Sequence, residues 1–593
     1  MATAQRSPVI GIDLGTTNSV IAVLEDGAPR AIAIDGHLTM PSVVLYRGDD
    51  VVVGREARNL EYQHAECTIS SVKRKMGSEH RYSIAGSEIR PEAVSAEILK
   101  ALCTGAQRDL GLPVREVVIT VPAYFDDAQR RATLTAAERA GLHVLRLVNE
   151  PTSASLVYAQ IAAQPADTGS PAADDSEYVL IYDLGGGTFD VSVLEVFDGI
   201  REVKATAGNS ALGGDDFDER LVRRLIDSID TKQDVDPRSN PRALARLRRV
   251  AEETKAALST AMEVEVREEF LLSGSDGEPI HLHTTVTRTE FEEAIEPLIR
   301  TTVALTRQVI DDARLELHQV ARICLVGGST RIPLVRRLLT EAFEVSIHEE
   351  IDPDLGVALG AALQAGICAG VETQRILVDV ASHSLGVLAA GPDDFDHPLS
   401  AAGADTFVPL IPRNTVVPAE RTRELYTAQD EQAMVQVEVF QGEGRRCSLN
   451  RRVGSFRYEL VPGPQGSPVH CRFEYDLDGV VRVSVSQPGV DSSKTVAFTV
   501  SDASEPETSA AEDAQIPEGA LERRARVLEG TLGQARRDEL AGLLARVREV
   551  GGDARAEAED ALLDFFLEHE PDVDETDETD ETDETDEADE ADE

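Results

Sequence analysis

The chain has 593 residues, 42% of them hydrophobic and 28% charged, and carries a net charge of −49 at neutral pH. That length exceeds one core and asks for roughly two to four domains, while so negative a balance argues against nucleic acid and anionic membrane as partners. No basic-then-apolar leader opens the chain, no apolar run approaches the roughly 18 residues of a membrane span, and the cysteines at 67, 103, 324, 368, 447 and 471 show no metal spacing or disulfide framework; a reducing cytoplasm is expected.

The first element is hairpin-like, "VIGIDLGTTNSVIAVLEDG", with an acid, Asp13, at the end of an apolar strand. "EVVITVPAYF" reads as a strand, and "DDAQRRATLTAAERAG" as a helix with an acidic first turn and a closing glycine. After the polar loop "QIAAQPADTGSPAADDSE" the first element returns as "VLIYDLGGGTFDVSVLEVFDG". The two align without a gap, Asp13 on Asp183 and Gly15 on Gly185, which predicts a domain built from two similar halves. "EETKAALS" then places Glu252, Lys255 and Ser259 on one helical face, a spacing that suits a surface ion pair as well as a nucleotide contact. "RICLVGGSTRIPLVRRLLTEAF" is strand, Gly-Gly turn and helix, with Pro333 near the helix start.

Around residue 371 the pattern changes. Past "RILVD" at 375–379, the stretches "MVQVEVFQG", "VHCRFEYDLDGVVRVSVSQPG" and "TVAFTVSD" alternate with period two, and Asp478-Gly479 is a hairpin turn. Residues 381–503 therefore read as an antiparallel β-domain. A linker, "ASEPETSAAEDAQIPEG", precedes amphipathic helices up to about residue 570, and the tail from Asp572 holds 15 acidic residues and no base. Self-repulsion should keep that tail disordered.

Two Asp-Leu-Gly turns supply what a metal-bound phosphate chain needs: glycines that let the backbone come close, hydroxyls beyond the bend, and carboxylates for a hydrated Mg²⁺. The set "GIDLGTTNSV", "VPAYFDDAQRRAT", "LVNEPTSASLVYA", "YDLGGGTFDVSVLEV", "LGGDDFD", "LVGGSTRIPLV" and "DPDLGVALGAA" resembles, in order and spacing over residues 8–370, the ATPase domain of the 70-kDa heat-shock chaperones of the DnaK type. The β-domain shares the resemblance through "SLGV", "IPRNTVVPAERTRELYTAQDEQAMVQVEVFQGE" and "FEYDLDGVVRVSV". The short region after "VKRKMGSEHRYSI" and the brief C-terminal helices look most like the HscC branch.

The resemblance implies an α/β, actin-like two-lobed ATPase domain (residues 1–370), an interdomain linker (371–380), a β-sandwich that grips extended apolar peptides (381–503), a short helical lid (504–570) and an acidic tail (571–593). It implies that Asp13 and Asp183 orient Mg²⁺ through water, that Gly15, Thr16, Thr17, Asn18, Gly185, Gly186, Gly187 and Thr188 cradle phosphates, and that Gly213 and Gly214 join them. Lys73 matches the lysine that reaches the γ-phosphate, one of only seven lysines here, with Glu150, Thr188 and Asp190 at the same reaction centre. Glu252, Lys255, Ser259, Gly327, Gly328, Ser329, Arg331 and Asp354 match the adenosine pocket, and Pro122, Arg130, Leu377, Val378 and Asp379 the relay to the linker. Val435 is the expected floor of the peptide pocket. The implied function is an ATP-dependent chaperone with slow hydrolysis, working with unfolded polypeptides, a J-domain co-chaperone and an exchange factor of unassigned kind. The rivals are a metabolite kinase or a filament-forming ATPase of the same superfold, neither of which accounts for residues 381–503. The segment "LAAGPDDFDHPLSAAGADTFVPLI" departs from the family's peptide-covering loops, so the residues arching over a peptide do not carry over.

Overall fold

The duplication legible in the sequence is a duplication of sheet topology. The computed structural model describes residues 8–48, 50–162, 176–197, 200–229, 236–274, 278–348, 352–371, 376–389, 406–490, 493–498 and 534–549. In the first half, β1 (Ile10–Asp13), β2 (Asn18–Glu25), β3 (Ala28–Ala31), β4 (Glu116–Val121) and β5 (His143–Asn149) lie side by side in the order β5-β4-β1-β2-β3. In the second, β6 (Glu177–Leu184), β7 (Phe189–Phe197), β8 (Ile200–Asn209), β9 (Val320–Val326) and β10 (Ser346–His348) take the equivalent order β10-β9-β6-β7-β8.

The match extends to single residues. Ile10 pairs Val23 and Asp13 pairs Val20 across the first hairpin, while Leu180 pairs Val193 and Asp183 pairs Asp190 across the second. In both halves the Asp-bearing strand also has a parallel neighbour, β4 for β1 and β9 for β6. Parallel strands flanked by helices must be buried on both faces, and the runs agree: Ile10, Ile12, Val117 and Ile119 are fully buried, as are Leu180, Tyr182, Val191 and Val193. The acids therefore sit at the C-terminal ends of these strands, Asp13 at the last position and Asp183 one before it, where the chain turns.

The second sheet gains one more strand from beyond residue 370. β11 (Ile376–Val380) adds in parallel to β8, with Leu377 opposite Arg201 and Val378 opposite Glu202, and the short strand Val416–Val417 closes this edge against Asp379 and Val380. The segment "ILVDV" thus forms strand, as its β-branched, apolar residues favour.

Period-two alternation over the following residues resolves into two antiparallel four-stranded sheets. One runs Thr406–Ile411, Leu385–Ala389, Met434–Gln441, Arg451–Glu459; the other runs Ala419–Tyr426, Pro468–Tyr475, Val481–Ser486, Ser493–Ala497. Inward residues of both, among them Leu385, Val439, Phe473, Val481 and Val483, share one apolar core. The expected hairpin at Asp478-Gly479 joins the paired ends Tyr475 and Val481. Helix Gln534–Glu549 and the 3-10 turn Cys447–Leu449 belong to a separate unit. The rest of the expected lid, the acidic tail, most of the Leu388–Ile411 loop and Arg375 fall outside the described residues. Among the described residues no helix is long and apolar enough to cross a membrane.

Candidate functional site

The two repeated turns meet. A Cβ built on Gly186 would lie 1.9 Å from Thr17 Oγ1, and one on Gly187 would lie 2.5 Å from Thr16 Cγ2. The threonines of "GTT" thus occupy the space that "GGG" leaves open, which explains why a repeat aligned without gaps differs at these positions. Gly213 stands behind: its Cβ would lie 2.6 Å from Gly187 N. Around this contact opens a cleft of about 570 Å³, lined by Asp13, Gly15, Thr16, Thr17, Asn18, Lys73, Glu150, Asp183, Gly185, Gly186 and Thr188. Glu252, Lys255, Ser259, Gly327, Gly328, Ser329, Arg331 and Asp354 line it as well, with Ser329 Oγ donating to Gly185 O at 2.9 Å. The volume lies within the usual range of about 300–1,000 Å³ for small-molecule sites. Gly187, Gly213, Gly214 and Asp190, expected on the wall, are not among the lining residues.

Charge is concentrated where the turns meet. Lys73 is almost wholly buried and donates to Glu150 Oε1 at 2.5 Å. Burial alone would pull the Lys73 pKa down, but the carboxylates of Glu150 and Asp13 outweigh it and raise it. Asp13, largely buried, is raised to about 7 by loss of water and by Glu150, against the pull of Lys73 and of the Thr120 hydroxyl, which lies 3.3 Å away. Asp183 is raised well above the carboxylate range by burial, Glu150, Asp190 and Asp13. Asp190, raised to about 7 by burial and Glu150, accepts from Tyr124 N at 2.9 Å.

One lysine amid four acids would repel a bare polyphosphate. The donor set fits a divalent cation standing between carboxylates and phosphate. Mg²⁺ takes oxygen ligands and keeps several of its waters, so two such carboxylates with phosphate oxygens and water are a fitting donor set.

The cleft walls are cross-braced. Lys255 donates to Asp218 Oδ2 at 2.6 Å and to Gly214 O at 3.0 Å. Glu252 is ion-paired with Arg58 from the first half. Arg331 reaches Asp354 at 2.8 Å and Asp352 at 3.2 Å. Gly327 has φ +83°, and a Cβ there would meet Leu184 O at 2.3 Å, so glycine alone fits where β9 turns against the second phosphate turn. Thr39, Ala256, Thr260, Ile332 and Pro353 also line the cleft. No motif marked Thr39, which is brought to the cleft because the next residues, Met40 and Pro41, pair with Ser19 and Asn18 beside the first turn, whereas Ala256 follows from the helix that carries Lys255.

A second polar cluster leads away from the cleft. Arg130 lies on helix Asp127–Arg139, whose start is fixed by a capping box between Asp126 and Gln129. Its guanidinium donates to Asn149 Oδ1 at 2.7 Å and to the carbonyls of Phe125 and Ala123, and Asn149 in turn donates to Asp379 Oδ2 at 2.9 Å. Burial lifts the Asp379 carboxyl above its ordinary range, with the Val380 N–H and Arg130 opposing. Pro122 is buried, and its carbonyl accepts from Phe125 N at the entry to the same helix.

The same helix also holds the antiparallel sheets. Arg131 donates to Val481 O at 2.8 Å, Val481 N to Asp127 Oδ1 at 3.0 Å, Asp127 N to Gln441 Oε1 at 3.0 Å, and Leu147 N to Asp478 Oδ1 at 2.9 Å. Arg413 bridges to Asp312 at 2.6 Å and Arg451 to Asp126 and Gly77 O. Val435 lies apart from these contacts, half-buried on strand Met434–Gln441 opposite Tyr458.

A family model described as Hsp70 protein matches residues 9–84 and 79–591. The chaperone protein DnaK of Thermotoga petrophila is 41% identical over 500 residues, covering 83% of this chain and 80% of that protein. The DnaK proteins of Thermotoga maritima and Thermotoga neapolitana match over the same shares at the same identity.

Proposed function

The chain belongs to the Hsp70 family and is an ATP-dependent molecular chaperone and ATPase, and we propose that ATP is bound and hydrolysed in the cleft between its two repeated turns. The observation that carries this reading is the interlock of Thr17 with Gly186 between hairpins of matching register. We read the two matching sheets as the lobes of an actin-like domain over residues 1–370, β11 as the heart of a linker over 371–380, and the antiparallel pair of sheets as a peptide-binding β-sandwich over 381–503. A short lid over 504–570 and an acidic tail over 571–593 complete the proposal. The relatives named above are DnaK proteins, so the HscC-branch reading rests on the two abbreviated segments alone.

In this assignment Asp13 and Asp183 hold hydrated Mg²⁺, which when bound supplies positive charge to the phosphates. Thr16, Thr17, Asn18 and the Gly185–Thr188 turn cradle the phosphates, and the Glu252-to-Asp354 set takes the adenosine. Phosphoryl transfer asks mainly for positioning and charge. Lys73 provides the fixed charge at the γ-phosphate, and Glu150 holds its ammonium in place. Asp190, bonded to Tyr124 N, orders the cleft wall more than it touches a water. Extended apolar polypeptides are the clients, with Val435 in their pocket; a J-domain protein and an exchange factor are the expected helpers, and the cytoplasm the expected compartment. A match running through residue 591 leaves the kinase and filament readings without support.

Lys73→Ala should leave ATP binding within about tenfold of the parent and slow single-turnover hydrolysis by about 10²–10³-fold, the worth of one preorganised charge at a transition state. Undiminished hydrolysis, in a variant whose melting shows it folded, would remove Lys73 from the reaction centre.

A further inference from the structure

Lys73 sits on a one-turn 3-10 helix, Val72–Lys75, whose neighbours on both sides are tied across the cleft. Before it, Ser71 holds the left-handed conformation at φ 51° and ψ 30°, a region that non-glycine residues occupy at a cost and that clusters at functional sites. Its hydroxyl donates to Asp215 Oδ2 at 2.6 Å. After it, Arg74 donates to both carboxylate oxygens of Asp216, at 2.9 and 3.0 Å, and to Ala211 O at 2.5 Å. Arg74 Cγ also lies 3.0 Å from where a Cβ on Gly187 would be. The receiving acids are themselves part of the second phosphate turn's support: Asp215 N donates to Gly186 O at 2.7 Å, and Asp216 Oδ2 accepts from Gly213 N at 2.8 Å.

We propose that Ser71–Asp215 and Arg74–Asp216 form a latch between the halves, with Arg74 a positioning residue that fixes Lys73 against the second phosphate turn and must let go before nucleotide leaves. The inference rests on the reading of the cleft as the ATP site. Its logic is geometric: each bond joins the Lys73 turn to the loop that braces Gly186, so the halves cannot part without breaking them. A planar guanidinium that grips a carboxylate and a carbonyl together sets orientation better than a point charge does. One device would thus serve both to bring Lys73 to its working position and to delay release.

The test measures two rates in the full chain, single-turnover hydrolysis of bound ATP and dissociation of a fluorescent ADP, for Arg74→Ala, Asp216→Asn, the double variant and Arg74→Lys. Asparagine still accepts from Gly213 N, so the helix start is kept. The latch predicts hydrolysis about tenfold slower and ADP release about tenfold faster in either single variant, with the double variant no worse than the singles because both remove one interaction. Arg74→Lys should recover part of both effects. Rates within about twofold of the parent for Arg74→Ala, or slowed hydrolysis with unchanged ADP release, would overturn the latch. A parent chain that hydrolyses no ATP would instead overturn the reading of the cleft, and the latch with it.

Discussion

Replacing Gly186 by alanine puts a methyl carbon 1.9 Å from Thr17 Oγ1 and 3.0 Å from Thr17 Cβ, where ordinary contact begins near 3.4 Å. Turning the Thr17 side chain moves the oxygen away but not the carbon it hangs from, since a β-branched residue carries both on a stiff stem. In the present rotamer the shortfall is roughly 1.5 Å against the oxygen, any other rotamer still leaves the carbon short by roughly 0.4 Å, and close-packed neighbours leave little room for either. The two turns must therefore part, and with them the groups that position the phosphates. A misplacement of about 1 Å at a reacting centre costs about a hundredfold in rate, near 2.7 kcal/mol of barrier. Single-turnover hydrolysis by Gly186→Ala should fall by about that factor. Adding Thr17→Ala removes the oxygen and leaves only the milder carbon contact, so the double variant should hydrolyse about tenfold faster than Gly186→Ala alone, despite losing a hydroxyl from the cleft. Hydrolysis by Gly186→Ala within about threefold of the parent would mean that the turns do not interlock as described.

Leu377→Asp with Val378→Asp should abolish the effect of ATP on peptide release, because Leu377 packs against the apolar clusters of both sheets and a carboxylate there meets a desolvation penalty; peptide off-rates that still rise with ATP in the double variant would refute the linker's role. Docking of the antiparallel sheets should weaken in mild acid. His383 stacks on Tyr124 with ring centroids 4.1 Å apart, facing Arg130, Arg413 and Arg451, and burial with these cations holds its pKa down from 6.5 to about 3. A separated His383 takes a proton near 6.5 while the docked one does not, so docking is at full strength above pH 6.5 and fades as pH falls from there toward 3. From pH 7.5 to 5.5 the docked population, read by interdomain energy transfer, should lose about tenfold in its equilibrium constant, and His383→Leu should lose that dependence; equal pH dependence in both would rule His383 out.

The halves, the turns and the alternating β-region were legible because each is a local pattern: a strand ending in acid, a glycine bend, a period of two. The repeat even fixed hairpin register, since aligned Asp13 and Asp183 take equivalent partners in Val20 and Asp190. What the sequence hid are contacts between residues far apart in the chain. Nothing local tells that Arg58 answers Glu252, that Asn149 joins Arg130 to Asp379, or that the tip of the Asp478-Gly479 turn rests on Arg130. Asp190 has a partner the sequence also hid. Its carboxylate lies directly across the strand pair from Asp183, on the same face, yet it is taken up by Tyr124 N, a residue no local pattern links to it. Lys73 was singled out by the scarcity of lysine as well as by its motif, yet its burial against Glu150 depends on a helix that begins some seventy residues later.

We propose that nucleotide in the cleft governs the grip of the β-region on peptide through the Arg130–Asn149–Asp379 connection. It is tested most directly by the dissociation rate of a fluorescent apolar peptide from the full chain, measured with ATP and with ADP, in the parent and in Lys73→Ala. Binding of ATP, rather than its hydrolysis, should set the docked arrangement, so ATP should speed release at least about tenfold over ADP in both proteins, a coupling of about 1.4 kcal/mol. Equal off-rates with ATP and ADP in the parent would contradict the account.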